Sequence, residues 1–252
     1  MDNLNNYNIF VINLERRKDR LDHFTQQAKH LDKYEVFTGW DAKIHGLEKS
    51  EEKLKEFYND KTFYSLSSKR GQFRGRIGIV ISFLSLLKVA IERDLDNILI
   101  FEDDILINNK LTFTSPPDDS ILSYLSGFRE LYPFTQKLDN NNDWELIENY
   151  KVWECHSMII KGKKNIKKVY HLLTNHNCRP RALDSMLIKY VQKKERTYLY
   201  KEGTFMKQHR VLSSDITFIH GDNTLHQEKK SLGINIDKKK NETIKEIEVT
   251  LN

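Results

Sequence analysis

Two cysteines, Cys155 and Cys178, are too few and too far apart in 252 residues for a zinc cluster or a disulfide framework. They are expected to be core thiols in a reducing compartment. No apolar run approaches the roughly 20 residues that cross a bilayer, and the first residues carry neither a basic start nor an apolar stretch of the secretory kind. A cytoplasmic protein is therefore expected, at most held peripherally at a membrane. The histidines show no metal-ligand spacing with cysteine, which argues against a zinc site. Nucleophile signatures of the G-x-S-x-G or Cys/His kind and internal repeats are missing as well.

What is present is a folded, polar-surfaced chain of 29.9 kDa, 38% hydrophobic and 31% charged, long enough for one large α/β domain or two small ones. The net charge of +5 is unevenly placed: residues 161–210 hold 14 Lys or Arg against Asp184, Glu195 and Glu202. Such a segment is either a solvated basic face on helices or a surface for a phosphate-bearing ligand, nucleic acid or an anionic membrane.

The run Ile9-Phe10-Val11-Ile12-Asn13-Leu14 has the continuous apolar character of a strand buried on both faces. Leu21, Phe24, Ala28 and Leu31 then mark one face of a helix, and Tyr34 to Phe37 a second strand, giving a β-α-β opening. Residues 46–70 are expected to be loop and helix. The glycines of Gly75-Arg76-Ile77-Gly78 fall just before or within the first turn of a helix that ends near Arg93-Asp94, and Ile98 to Phe101 form a strand running into Glu102-Asp103-Asp104. Strands alternating with helices predict an α/β fold with a mostly parallel sheet, whose ligands bind beyond the carboxyl ends of the strands. Residues 107–143, with Pro116-Pro117 and Pro133, are expected to be an irregular connection. Short strands at Trp144–Ile147 and Ser157–Ile160 follow, then helices around Ile166–Leu173 and Leu183–Tyr190. One domain over residues 1–226 and a loosely ordered Lys-rich tail over 227–252 complete the reading.

Three consecutive acids after an apolar strand repel one another unless a cation or hydrogen-bond donors compensate. Glu102 and Asp104 suit Mg²⁺ or Mn²⁺ with a shell completed by water and phosphate oxygens; the alternative is a solvated acidic turn or a helix cap. Gly75 and Gly78 permit close approach of a phosphate or sugar, or simply tight packing. Arg16, Arg17 and Arg20 could grip a diphosphate or form surface salt bridges. Asp184 stands almost alone among cations, which would hold it ionised as a general base, or it pairs with Arg181. His220 could add an imidazole to a metal shell.

In this order the segments resemble glycosyltransferase family 25, which includes lipopolysaccharide and procollagen galactosyltransferases. Phe10 to Arg20 is similar to the family's opening block of a hydrophobic strand, I-N-L, then basic residues and D-R. Trp40-Asp41-Ala42 resembles its V-D-G/A turn, Gly75 to Ser82 its G-E-I-G-C-x-x-S-H block, and Ile100 to Ile105 its I-L-E-D-D block. Asp143 to Ile147, Ser157 to Gly162, Leu183-Asp184 and Gln208 with Ser213 to Ile216 are similar to later blocks. The chain departs at Arg76, where the family usually has Glu, and at Phe83, which replaces the His of S-H; no donor contact or proton relay can run through that group here.

The resemblance implies a GT-A-like, Rossmann-type domain that moves a hexose, galactose above others, from a UDP-sugar to a hydroxyl of a glycan or hydroxylysine-type acceptor with inversion. On that reading Glu102 and Asp104, with His220, are expected to hold Mn²⁺ or Mg²⁺, nucleotide-sugar contacts are expected at Asn13, Leu14, Arg17, Arg20, Gly75, Gly78, Ser82 and Asp103, and Asp184 is expected to be the base. A catalytically silent relative serving as a nucleotide-binding or scaffold module is the alternative, and nucleic-acid binding through the basic segment is a distant third.

Overall fold

A computed structural model describes residues 4–58, 70–107, 113–131, 143–148, 150–153, 156–175, 177–178, 180–200 and 206–208. All the described residues belong to one compact unit.

The apolar run makes β1 (Asn8–Asn13), and the amphipathic stretch makes α1 (Lys18–Gln27), continued by a 3-10 turn at Ala28–His30. Then come β2 (Glu35–Thr38), α2 (Ala42–Lys55), α3 (Arg70–Glu92) and β3 (Asn97–Glu102). Shorter strands follow: β4 (Ile105–Ile107), β5 (Leu122–Tyr124), β6 (Phe128–Leu131), β7 (Trp144–Leu146), β8 (Tyr150–Trp153) and β9 (Ser157–Lys161). The described chain closes with α4 (Lys163–Thr174), α5 (Leu183–Met186) running into a π-helical turn at Leu187–Gln192, then β10 (Thr197–Tyr200) and β11 (Met206–Gln208).

Seven strands build the central sheet in the order β2-β1-β3-β9-β5-β10-β7. β2, β1, β3, β5 and β10 share one direction, while β9 and β7 run against it. The sheet is thus mostly parallel by strand direction, with one reversed strand set between β3 and β5. Side chains alternate between two cores, as the period-2 geometry of a strand requires. Phe10, Ile12, Ile98 and Ile100 pack with α2, α3, α4 and α5 on one face, and Ile9, Val11, Leu99 and Phe101 with Phe24, Ala28 and Leu31 of the α1 region on the other. Helices on both faces explain why β1 and β3 carry no polar alternation. The arrangement is the Rossmann-like α/β class, a mostly parallel sheet flanked by helices, that the sequence predicts.

Two expectations need correction. The connection over 107–143 contains a strand of the main sheet: β5 lies between β9 and β10, and Ser123 pairs with Ile159 and Thr197 with Leu122. Three residues with a polar centre, Leu122-Ser123-Tyr124, give no readable period. Helix α3 begins at Arg70, so Gly75 and Gly78 stand inside it rather than at its start. Their N–H groups therefore serve the helix ladder. Among the described residues no helix is long and apolar enough to cross a membrane.

Candidate active site

The carboxyl end of β1 turns directly into α1. Arg17 N–H donates to the Leu14 carbonyl at 2.7 Å and Arg20 N–H to the Arg17 carbonyl at 3.1 Å, which bends the chain back across the end of the sheet. The Asn13 side-chain amide holds that bend by donating to the Arg17 carbonyl at 3.0 Å. Arg17 is buried and grips Asp19 through two bonds of 2.9 and 2.8 Å, and this fork holds the Asp19 carboxyl below its ordinary range. Arg16 reaches across to Asp41, which caps α2 by accepting from the Lys43 and Ile44 amides. The ends of β1 and β2 are thereby joined by an ion pair.

One strand away, β3 delivers the three acids. Asp103 accepts from Asn13 Nδ2 at 2.7 Å on one oxygen and from Arg20 Nη1 at 3.1 Å on the other. The same Nη1 lies 3.1 Å from Asp104 Oδ2. Asn13, Arg20, Asp103 and Asp104 are all buried. Burial pushes the Asp103 carboxyl up to about 6; Arg20 opposes that rise and the neighbouring charge of Asp104 adds to it.

Glu102 is half-buried and meets a residue that sequence reading did not select, His156. The Glu102 amide donates to the His156 carbonyl at 2.9 Å, and His156 Nδ1 lies 2.6 Å from Glu102 Oε2. Glu102, Asp104 and His156 each offer a ligand atom within 4.8 Å of one another. The antiparallel pairing of β3 with β9 explains the meeting: Phe101 sits opposite Ser157, so the next residue along β3 faces the residue before β9. No spacing rule joins residues 54 apart, and only the register of β9 could have found His156. His220, the imidazole expected in this place, lies outside the described residues.

Beneath this constellation the other selected residues form a packing layer. Ser82 Oγ accepts from Trp40 N–H at 2.7 Å and donates to the Gly78 carbonyl at 2.7 Å, pinning the β2–α2 turn to α3. Gly78 is buried, and a Cβ there would lie 2.7 Å from the Trp40 carbonyl oxygen, so close backbone approach requires glycine. Leu14 borders the same layer through Gly39, whose N–H donates to the Asn13 carbonyl at 2.7 Å. Phe83 is fully buried in the core and Arg76 is exposed. Gly75 is half-buried on α3. Asp184 stands in the first turn of α5 and accepts from the Ser185 amide at 3.0 Å. No bond given by the described residues ties it to Glu102, Asp103 or Asp104.

The acidic triplet at a strand end, an imidazole brought beside it and a turn rich in arginine one strand away form a polar cluster at the carboxyl edge of the sheet, the edge at which α/β proteins bind ligands. The chain is 28% identical over 142 residues to procollagen galactosyltransferase 2 of Mus musculus; the match covers 55% of this chain and 20% of that protein. The chain thus spans about a fifth of its relative's length. The model of glycosyltransferase family 25 (LPS biosynthesis protein) matches residues 6–179, from the start of β1 past α4, with Asp184 beyond its end. Since that match takes in more than half of the sequence, with β1, β3 and β9 inside it, the chain belongs to glycosyltransferase family 25.

Proposed function

We propose that the chain transfers a hexose, galactose above others, from a UDP-sugar to a hydroxyl of a glycan or hydroxylysine-type acceptor, with inversion. The observation that carries this reading is the meeting of Glu102, Asp104 and His156 at the end of β3, one strand from the Asn13–Arg20 turn. Two carboxylates and an imidazole are oxygen and nitrogen donors that suit Mn²⁺ or Mg²⁺, so these residues fit a divalent cofactor. Glu102, Asp104 and His156 would hold it, with His156 in the role first given to His220. When bound, such an ion neutralises charge on a departing nucleoside diphosphate.

The chain's own groups supply the rest. The backbone of the Leu14–Arg17 turn, at the N-terminus of α1, favours negative charge, while Arg17 and Arg20 hold the turn's shape through Asp19 and through Asp103 and Asp104. Asp184 takes the proton of the acceptor hydroxyl; its support is the likeness of Leu183-Asp184 to a family block. Lys164, Lys167, Lys193 and Lys194 are exposed, which favours loose contact with an anionic membrane surface.

Release of UDP from UDP-galactose, with and without Mn²⁺ and an acceptor, tests the proposal. Glu102→Gln and Asp104→Asn are expected to lower metal-stimulated turnover roughly a hundredfold, and Asp184→Asn to lower turnover while UDP still binds. Binding without turnover across a panel of donors and acceptors would instead favour the silent nucleotide-binding module.

A further inference from the structure

The three acids of the Glu102-Asp103-Asp104 turn do not share one environment. Asp103 faces the first β-α turn, with one oxygen on Asn13 and the other on Arg20. Glu102 and Asp104 are grouped with His156. Arg20 is the link between the two sets, because one guanidinium nitrogen stands 3.1 Å from an oxygen of each aspartate. Ionised, the three carboxylates and the guanidinium leave two negative charges, the number one divalent cation balances.

We infer that Asp103 touches neither the cation nor the sugar donor and acts through Arg20. By engaging that guanidinium it limits the hold of Arg20 on Asp104, so that the Asp104 carboxylate stays available to a divalent ion. Asp103 and Arg20 are positioning residues, and the assignment rests on the divalent-cation reading of Glu102, Asp104 and His156 given above. Without the Asp103 charge, the positive charge of Arg20 bears more strongly on Asp104, and an incoming ion must displace a guanidinium from a buried carboxylate. Asn13 completes the tie. Its amide joins Asp103 to the Arg17 carbonyl, so the shape of the acidic turn and that of the β1–α1 turn are set together.

A double-mutant cycle on the full chain, read by electron paramagnetic resonance of free Mn²⁺ in the presence of UDP, tests the inference. Asp103→Asn is expected to weaken Mn²⁺ binding about tenfold in the otherwise unaltered chain, the size typical of groups that orient metal ligands. In an Arg20→Gln chain the same change is expected to cost less than about threefold, because the group through which Asp103 acts is gone. An equal loss in both backgrounds overturns the inference and makes Asp103 a direct ligand. Should Arg20→Gln fail to give a folded chain by circular dichroism, an Arg20→Met background, which keeps the apolar length of the side chain without its charge, takes its place, and the loss must again shrink. A second arm measures UDP binding without metal: a change of more than about threefold in Asp103→Asn would place Asp103 on the nucleotide and overturn the inference by another route. An unaltered chain that takes up no Mn²⁺ with UDP overturns the cation reading itself and the inference with it. Uptake followed by equal losses overturns the inference alone.

Discussion

Phe83→His restores the residue that glycosyltransferase family 25 usually carries after the serine of its S-H pair, and it is expected to damage this chain rather than improve it. Phe83 is fully buried on α3 in the same core cluster as Leu84, Leu86 and Leu87, whereas its neighbour Ser82 is committed to Trp40 and Gly78. Exchanging phenyl for imidazole forfeits roughly 2 kcal/mol of apolar burial. Leaving a ring N–H and a ring nitrogen without partners in that core costs about 2 kcal/mol more. The sum, about 4 kcal/mol, corresponds to a fall in melting temperature of roughly 10 °C for a chain of this size. Thermal melts followed by circular dichroism read it directly, and the loss should deepen below about pH 6 as the imidazole charges. Phe83→Leu, which keeps the site apolar, should cost about 1 kcal/mol. If Phe83→His melts with the unaltered chain, or gains transfer from UDP-galactose, then position 83 reaches the polar cluster and the reasoning fails.

Asp103 should leave a pH signature in stability. With its carboxyl pushed up to about 6 from 3.8, the folded chain holds that proton more tightly than the unfolded chain does. Its contribution is full below about pH 4 and lost as pH rises through 6, so urea unfolding at pH 4 to 7 should show the stability of the unaltered chain falling by about 3 kcal/mol relative to Asp103→Asn; a constant difference would contradict it. Cys178 is a buried thiol pushed up to about 11, chiefly by burial. In a Cys155→Ser chain it should react with a disulfide reagent at pH 8 roughly a hundredfold more slowly than a free thiol, and a burst at the free-thiol rate would count against its burial. Ser82→Ala strips the Trp40 N–H of its acceptor and should cost about 2 kcal/mol in urea unfolding, an unchanged midpoint being the adverse result.

How legible each element was depended on how many residues repeat its pattern. β1, α1 and β3 could be read because four consecutive apolar strand positions or four helical positions on one face speak together. β5 and β10 could not: Ser123 and Thr197 are buried polar residues within strands of three and four residues, and their place is set by neighbours on either side rather than by their own sequence. The start of α3 was misplaced because glycine is read as a helix boundary, whereas Gly78 serves the approach of Trp40. At the site, strand ends and a run of acids pointed to Glu102, Asp103, Asp104 and Asn13. That Asp103 and Asp104 share the guanidinium of Arg20, from another element, cannot be read along the triplet. The basic segment was legible in amount but not in effect. Lys161, Lys163 and Arg196 pair with Asp118, Asp94 and Asp119 from outside it, so part of its charge is already matched.

The reversed course of β9 makes that strand a gauge with one sensitive end. A slip of one residue along β3 would swap His156 for Ser157 opposite Glu102 and turn every side chain of β9 to the wrong face. Its far end, Lys161-Gly162, points away from the polar cluster into a glycine-hinged start of α4. Inserting a single residue between His156 and Ser157 should part the imidazole from Glu102 while leaving the sheet intact.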